Sequence, residues 1–477
     1  MENQLGVLWH TPCYCMGASF AIPGIQRHGG VIMAQSKNRG FSVTMAGLGI
    51  NLALGILYTW SIFKLAIKES IESGDGRFNW ALASLNDPYA VCCLVFAFTM
   101  VLAGRLQDTL GPKLIAMIGG ILTGLGLMLI SQSYSLTAWV LGFGVLTGAG
   151  LGFGYASATP PALKWFPAAK TGLIAGLVVS GFGLASVYIA PLANHLINSY
   201  GLSTSMLIFG GGFMVVVCAL AQFLVNPPVG YKPAEPAQTN AKAPAAVVNL
   251  GPSQMLRNRN FYLLWFIFAV ASGAGLMIIG NVAGMAKASM GQYAWLLVAL
   301  MAVGNAGGRI VAGTLSDKIG RTQTLAIMLT FQALIMFSLT MVGKQQMVVL
   351  ILAACLIGFN YGTNLSLFPS ACKDYFGLKN FGMNYGILFS AWGVGGFILP
   401  RASQMIVAST GSFDSAYVAA GALLIFCAGM TMVVQRARAA ELSPEEVEQL
   451  ALATAVAYNR NSHIFKARTS SYQTQGK

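Results

Sequence analysis

Apolar blocks of about twenty residues, the length an α-helix needs to cross the hydrocarbon core of a bilayer, follow one another along almost the whole chain. Backbone surrounded by lipid must satisfy every N–H and C=O internally, which leaves only helices and closed barrels. A barrel would alternate apolar and polar residues in segments of about ten, and no such alternation is written here. Only 9% of the residues are charged, against about 25% in a soluble domain, too few to cover a water-facing surface. The expected class is an all-α polytopic membrane protein.

Twelve transmembrane helices are predicted, near 42–66, 87–108, 113–132, 136–158, 170–192, 203–225, 259–284, 292–314, 322–343, 346–368, 382–407 and 414–435. One long break, 226–256, carries six prolines and many alanines and reads as a polar, semi-extended linker. The expected organisation is an N-terminal cytoplasmic segment (1–40), a six-helix bundle (41–225), the linker (226–256), a second six-helix bundle (257–435) and a cytoplasmic tail (436–477). The stretch 1–32 has no basic n-region and no cleavage site, so it is expected to be disordered or an upstream mis-start, with Met33 as the natural beginning. In the tail, Ser443-Pro444-Glu445-Glu446 is a capping-box start for a short helix to about residue 456.

Net charge of +14 invites a nucleic-acid reading, but the cations sit between the apolar blocks and form no stripe with interleaved aromatics, so no nucleic-acid partner is expected. With the N-terminus inside, the inner segments hold 21 Lys and Arg and the outer loops 6, three of them assigned to the first outer loop. That bias predicts a multi-pass protein of the cytoplasmic membrane with both termini cytoplasmic. The eight cysteines show no CxxC or Cys/His spacing, and Cys13-x-Cys15 alone is weak. No metal site, no cofactor and no nucleophile–base pair is expected, so the chain does not read as an enzyme.

Two segments recur at a near-constant offset. AGRLQDTLG (103–111) answers AGTLSDKIG (312–320), and KWFPAAKTGLIAGLVVSGFGLAS (164–186) answers DYFGLKNFGMNYGILFSAWGVGG (374–396). Their order on either side of the linker implies a duplicated six-helix unit, and parallel repeats place a substrate site near the midplane between the halves. Glycines spaced by four in 172–186 and 382–396 let helix backbones approach closely. The loops carrying Gly104, Arg105 and Asp108, and Gly313, Asp317 and Arg321, resemble the major facilitator superfamily signature between helices 2 and 3 and helices 8 and 9. An Asp at a helix end can accept from a neighbouring helix N-terminus and pair with Arg, so these six residues are expected to form a conformational latch on the inner side.

None of the fourteen carboxylates lies in the middle of a span, so a buried acidic relay is not expected. Arg309 does: it stands eight residues before Asp317, about 12 Å into the core at 1.5 Å per residue. Its repeat mate is Met100 and its i−4 neighbour is Asn305. A charge in that place that the fold does not require reads as functional rather than structural, and a planar carboxylate fits its fork. Tyr155, Asn364, Trp392, Tyr361 and Tyr58 are further candidates for the cavity wall, each also readable as packing; Tyr58 is expected toward the outer end of its helix.

GILYTWSIF in helix 1, GFGYASATPPALKWFP into the 4–5 loop, DYFGLKNFGMNYGILFSAWGVGG into helix 11 and the helix 8 arginine together resemble the oxalate/formate antiporter family, which is related to the monocarboxylate transporters. The resemblance spans residues 40–435 and implies a secondary active transporter of small carboxylates, with Arg309 as the substrate cation. Two departures bear on the substrate. The family's oxalate exchanger has a second cation in helix 11, where this chain has Trp392, with Lys379 and Arg401 at the helix ends. This favours monocarboxylates such as lactate, pyruvate or formate. Proton-coupled monocarboxylate transporters carry an Asp one turn before the arginine, where this chain has Asn305, leaving open whether protons or a counter-anion accompany the substrate. The alternatives are an oxalate/formate-type anion exchanger, a dicarboxylate or drug exporter, and a transporter-like carboxylate sensor signalling through the tail.

Overall fold

A computed structural model of the chain describes residues 38–167, 171–228, 231, 249–341, 347–377 and 380–440. Expectations for residues 1–37, for most of the linker and for the helix after Ser443 lie outside the described residues. Helix α1 is Gly40–Ser73, α2 Asp87–Leu110, α3 Pro112–Ser131 and α4 Leu136–Lys164. Next comes a continuous helical stretch, Thr171–Ala221, broken at Gly201 (φ 80°, ψ 167°). The 49 residues of its apolar run would extend about 74 Å at 1.5 Å per residue, more than twice a bilayer core, so it is two spans, α5 (171–200) and α6 (202–221). The remaining helices are α7 Arg259–Ile279, continued by Val282–Met290, α8 Ala294–Ile319, α9 Arg321–Met341, α10 Met347–Phe376, α11 Phe381–Thr410 and α12 Asp414–Ala440.

Twelve crossings thus stand in two sets of six, and both ends of the described chain lie on the same side, called here the terminal face. The opposite side is the distal face. Apolar side chains such as Val215, Leu334 and Phe426 remain more than half exposed, as a lipid-facing wall requires. Two of the spans depart from α geometry within their length. Helix α1 tightens to 3₁₀ geometry over Gly55–Thr59, and α4 widens to a π-helix over Val140–Thr147; such stretches often mark functional hinges.

At the distal face the two sets of six are tied together. Arg401 on α11 pairs with Asp87 on α2 at 3.0 Å, and Lys287 beyond α7 pairs with Glu69 on α1 at 2.7 Å. Asn86 donates to the Pro400 carbonyl at 3.1 Å, and Gln404 donates to the Leu82 carbonyl at 2.9 Å. Helix α1 runs to Ser73, beyond its predicted end at residue 66, because Gly74 in the left-handed conformation caps it there. Two expectations change as a result. Tyr58 lies mid-helix rather than near the end, and Lys64, counted with the outer loop, is a buried helix residue.

Candidate functional site

Helix α8 reaches the centre of the molecule by pressing its backbone against α10. A Cβ added to Gly308 would lie 1.9 Å from the Phe359 carbonyl oxygen, and one added to Gly362 would lie 2.0 Å from that of Asn305. Only residues without side chains allow this approach. From this contact Arg309 reaches across to α5, while the Asn305 side-chain oxygen stays beside Gly362 of α10.

Arg309 is 5% exposed and near the middle of α8. Its Nε donates to Asn305 Oδ1 at 3.0 Å, and its Nη1 donates to the main-chain carbonyl of Val179, on α5, at 2.6 Å. Its Nη2 is buried and has no partner. Among the described residues no carboxylate pairs with it, so two neutral carbonyl dipoles meet its charge. Gly183 backs the guanidinium: a Cβ there would sit 3.2 Å from Cζ and 3.3 Å from Nε and Nη2.

Three of the aromatic candidates form one chain of hydrogen bonds. The Trp392 indole donates to the Tyr361 hydroxyl at 2.8 Å, and the hydroxyls of Tyr361 and Tyr58 share a hydrogen bond of 2.7 Å. Tyr58 stands on the 3₁₀ stretch of α1, so this chain also crosses between the two sets of helices. Tyr58 and Asn305 line the same cavity together with Ser186, Ile279, Val282 and Met301; at about 10 Å³ it has room for about one water. Arg309 lies a turn further along α8, behind Asn305.

Tyr155 joins the group by ring contacts only. Its centroid is 5.4 Å from that of Phe182, which lies 5.0 Å from Tyr58, and 6.2 Å from that of Phe389, which stacks on Trp392 at 5.1 Å. Asn364 is buried but hydrogen-bonds to none of these residues; its Nδ2 has no partner.

The latch residues fare differently. The side chains of Asp108 and Asp317 lie outside the described residues. Arg321 pairs with Asp374, at the end of α10, at 3.3 Å and donates to Ser316. Arg105 is exposed. A Cβ added to Gly104 or Gly313 would meet open space.

Sequence reasoning missed two parts of this region. The Val179 carbonyl is main chain and has no residue-type signature. Lys64 is 7% exposed and donates to Asn281 and, at 3.2 Å, to Gln404 Oε1. Its signal was available: a lysine four residues before Lys68 and within reach of an uninterrupted helix. Neither acceptor carries charge, so Lys64 is a second buried basic residue without an acidic partner among the described residues.

The sequence profile of the Major Facilitator Superfamily matches residues 40–400 and 287–469. The chain is 29% identical over 351 residues to an uncharacterized MFS-type transporter, YhjX, of Escherichia coli, covering 72% of this chain and 82% of that protein. It is 26% identical over 419 residues to the oxalate:formate antiporter of Oxalobacter formigenes, covering 86% of this chain and 96% of that one. Among solved structures, a bacterial homologue of the human lysosomal transporter Spinster, inward-facing and unoccupied, superposes with a TM-score of 0.60 at 15% identity, over 86% of this chain and all of that one.

Proposed function

This chain belongs to the Major Facilitator Superfamily, and from that membership we propose that it carries small carboxylate anions, monocarboxylates such as lactate, pyruvate or formate, across the cytoplasmic membrane by alternating access, with Arg309 binding the carboxylate. One observation carries the reading: the buried Nη2 of Arg309 has no partner. A buried donor left unsatisfied is costly, and a full positive charge compensated only by dipoles is costlier. An anion bearing two oxygens meets both demands, since a carboxylate accepts two parallel N–H bonds from the guanidinium fork. The site lies between two sets of six helices that are joined at the distal face. Parting them there and joining them at the terminal face would expose Arg309 to each side in turn.

The named substrates of relatives support the class. One relative is an oxalate:formate antiporter, another is a monocarboxylate transporter of rat, and a third is an apicoplast pyruvate carrier. A second reading, exchange of anions including dianions, is favoured by Lys64: the second cation missing from α11 has a counterpart on α1. The bias of Lys and Arg supports cytoplasmic termini, and on that reading the terminal face is the inner one. Within it, the organisation is two six-helix bundles, 41–225 and 257–435, with the latch residues acting at the inner ends.

Uptake into proteoliposomes tests the reading. Labelled lactate, pyruvate, formate and oxalate are offered with and without a pH gradient, and with and without unlabelled anion inside. Carboxylate flux above that of protein-free vesicles is the expected result. Absence of flux for all four overturns the substrate class, whereas flux that needs internal anion selects exchange.

A further inference from the structure

We propose that one turn of α5, from Val179 to Gly183, is the seat that aims the Arg309 guanidinium at its anion, with Gly183 as a positioning residue; this rests on the carboxylate reading above and extends it to the residues that orient the charge. The seat has two parts. In a helix each carbonyl accepts from the N–H four residues on, so the Val179 carbonyl takes the Gly183 N–H with one lone pair. Its other lone pair is free for a second donor, and Arg309 Nη1 fills it at 2.6 Å. Gly183 supplies the second part. The point where its Cβ would stand lies at nearly equal distances from Cζ, Nε and Nη2 of Arg309, 3.2 to 3.3 Å. Near-equal distances to three atoms of one plane mean that the plane lies flat over the missing side chain.

Three constraints therefore act on the guanidinium. Asn305, on its own helix, holds Nε; Val179, on the facing set of helices, holds Nη1; Gly183 backs the plane. Nη2 and the second N–H of Nη1 are left to face a ligand. Planar, bidentate recognition depends on where the plane points, and here that direction is fixed by α5 rather than by α8 alone.

The repeat mate of Gly183 sharpens the assignment. Gly393, on α11, faces α2, and there a Cβ would meet the Ala97 Cβ at 2.4 Å and the Cys93 carbonyl at 3.0 Å. At one interface the small residue lets two helices close on each other. At the other it makes room for a cation.

The test is a double-substitution cycle on the full chain: wild type, Gly183→Ala, Arg309→Lys, and the pair combined, each measured for thermal midpoint in detergent and for carboxylate uptake in proteoliposomes. A lysine ammonium has no plane to lay on Gly183, so the added methyl group should matter only when arginine is present. Gly183→Ala alone is expected to raise KM about tenfold while kcat stays within about twofold, and to lower the thermal midpoint; in the Arg309→Lys background the loss of thermal midpoint disappears, a coupling of the size contacting residues show. The same cycle with Gly393→Ala in place of Gly183→Ala should show no such coupling. Equal loss of thermal midpoint from Gly183→Ala in both backgrounds overturns the seat, as does a loss in kcat with KM unchanged. If Gly183→Ala alone does not accumulate but the combined variant does, the methyl group meets the guanidinium and the seat stands; if neither accumulates, it falls. A wild type that carries no small carboxylate sinks the substrate reading and leaves the thermal cycle to judge the seat.

Discussion

The hydroxyls of Tyr58 and Tyr361, 303 residues apart in the chain, meet at 2.7 Å across the boundary between the two sets of six helices. Tyr361 also receives the Trp392 indole N–H at 2.8 Å, so it is the middle member of the chain. Tyr361→Phe breaks two bonds and strands a buried indole donor, at a cost of about 1–3 kcal/mol. Tyr58→Phe breaks one and leaves Tyr361 bonded to Trp392, costing about 0.5–1.5 kcal/mol. Thermal unfolding in detergent should therefore rank Tyr361→Phe below Tyr58→Phe, with both below wild type. Equal midpoints for the two would mean that the Trp392 bond contributes nothing.

Arg309→Gln is expected to lower carboxylate uptake by about 100-fold, since it removes the charge from a buried ionic contact. Arg309→Lys keeps the charge but loses the planar fork, and should lose about tenfold, the equivalent of about 1.4 kcal/mol. Initial rates at subsaturating substrate are the measurement. Wild-type rates in Arg309→Gln would contradict the proposed role.

How much of this was readable beforehand differs from residue to residue. Arg309 was legible because a lone guanidinium among small apolar residues violates the hydropathy of its span, and its bond to Asn305 follows from i−4 spacing alone. Tyr361 and Trp392 were legible as aromatic candidates for the cavity wall, though not as partners, since their contact joins two different helices. Val179 was not legible: its contribution is a main-chain oxygen, which every residue has. Lys64 was misplaced because the end of α1 is set by Gly74 in a left-handed conformation, and apolar periodicity had faded several residues earlier. The twelve spans could be counted from sequence, yet α5 and α6 meet at Gly201 with no intervening loop.

Lys64 holds α1 to Asn281 and to Gln404 on α11, both on the other set of six. Lys64→Met removes both ties and should loosen the distal face. In a background freed of native cysteines, Val282→Cys, which lines the central cavity, reports on this. A membrane-impermeant thiol reagent applied at the distal side is expected to react several times faster when Lys64 is Met. An unchanged rate would leave closure of that face to the Arg401–Asp87 and Lys287–Glu69 pairs.

The glycines of α8 divide by their surroundings. Gly308→Ala drives a methyl group to 1.9 Å from the Phe359 oxygen, an overlap that backbone must relieve at a cost of about 1–3 kcal/mol or more. Gly313→Ala meets open space and should leave the thermal midpoint within about 0.5 kcal/mol of wild type in stability. Yield and monodispersity after detergent extraction are expected to fall for Gly308→Ala alone. Comparable behaviour of the two variants would mean that α8 and α10 can move apart freely.

The dipolar company of Arg309 has an electrical consequence. With carbonyls from Val179 and Asn305 as its partners, the unloaded site keeps its full positive charge within the membrane field, where one elementary charge crossing the whole potential gains or loses about 2.3 kcal/mol per 100 mV. On the carboxylate reading, a bound monoanion would cancel that charge, so the loaded site would pass through its conformational change neutral at Arg309 and the unloaded one would not. Membrane voltage would then act at this residue on the return of the empty protein rather than on the passage of its cargo. A second anion travelling back would spare the protein that step.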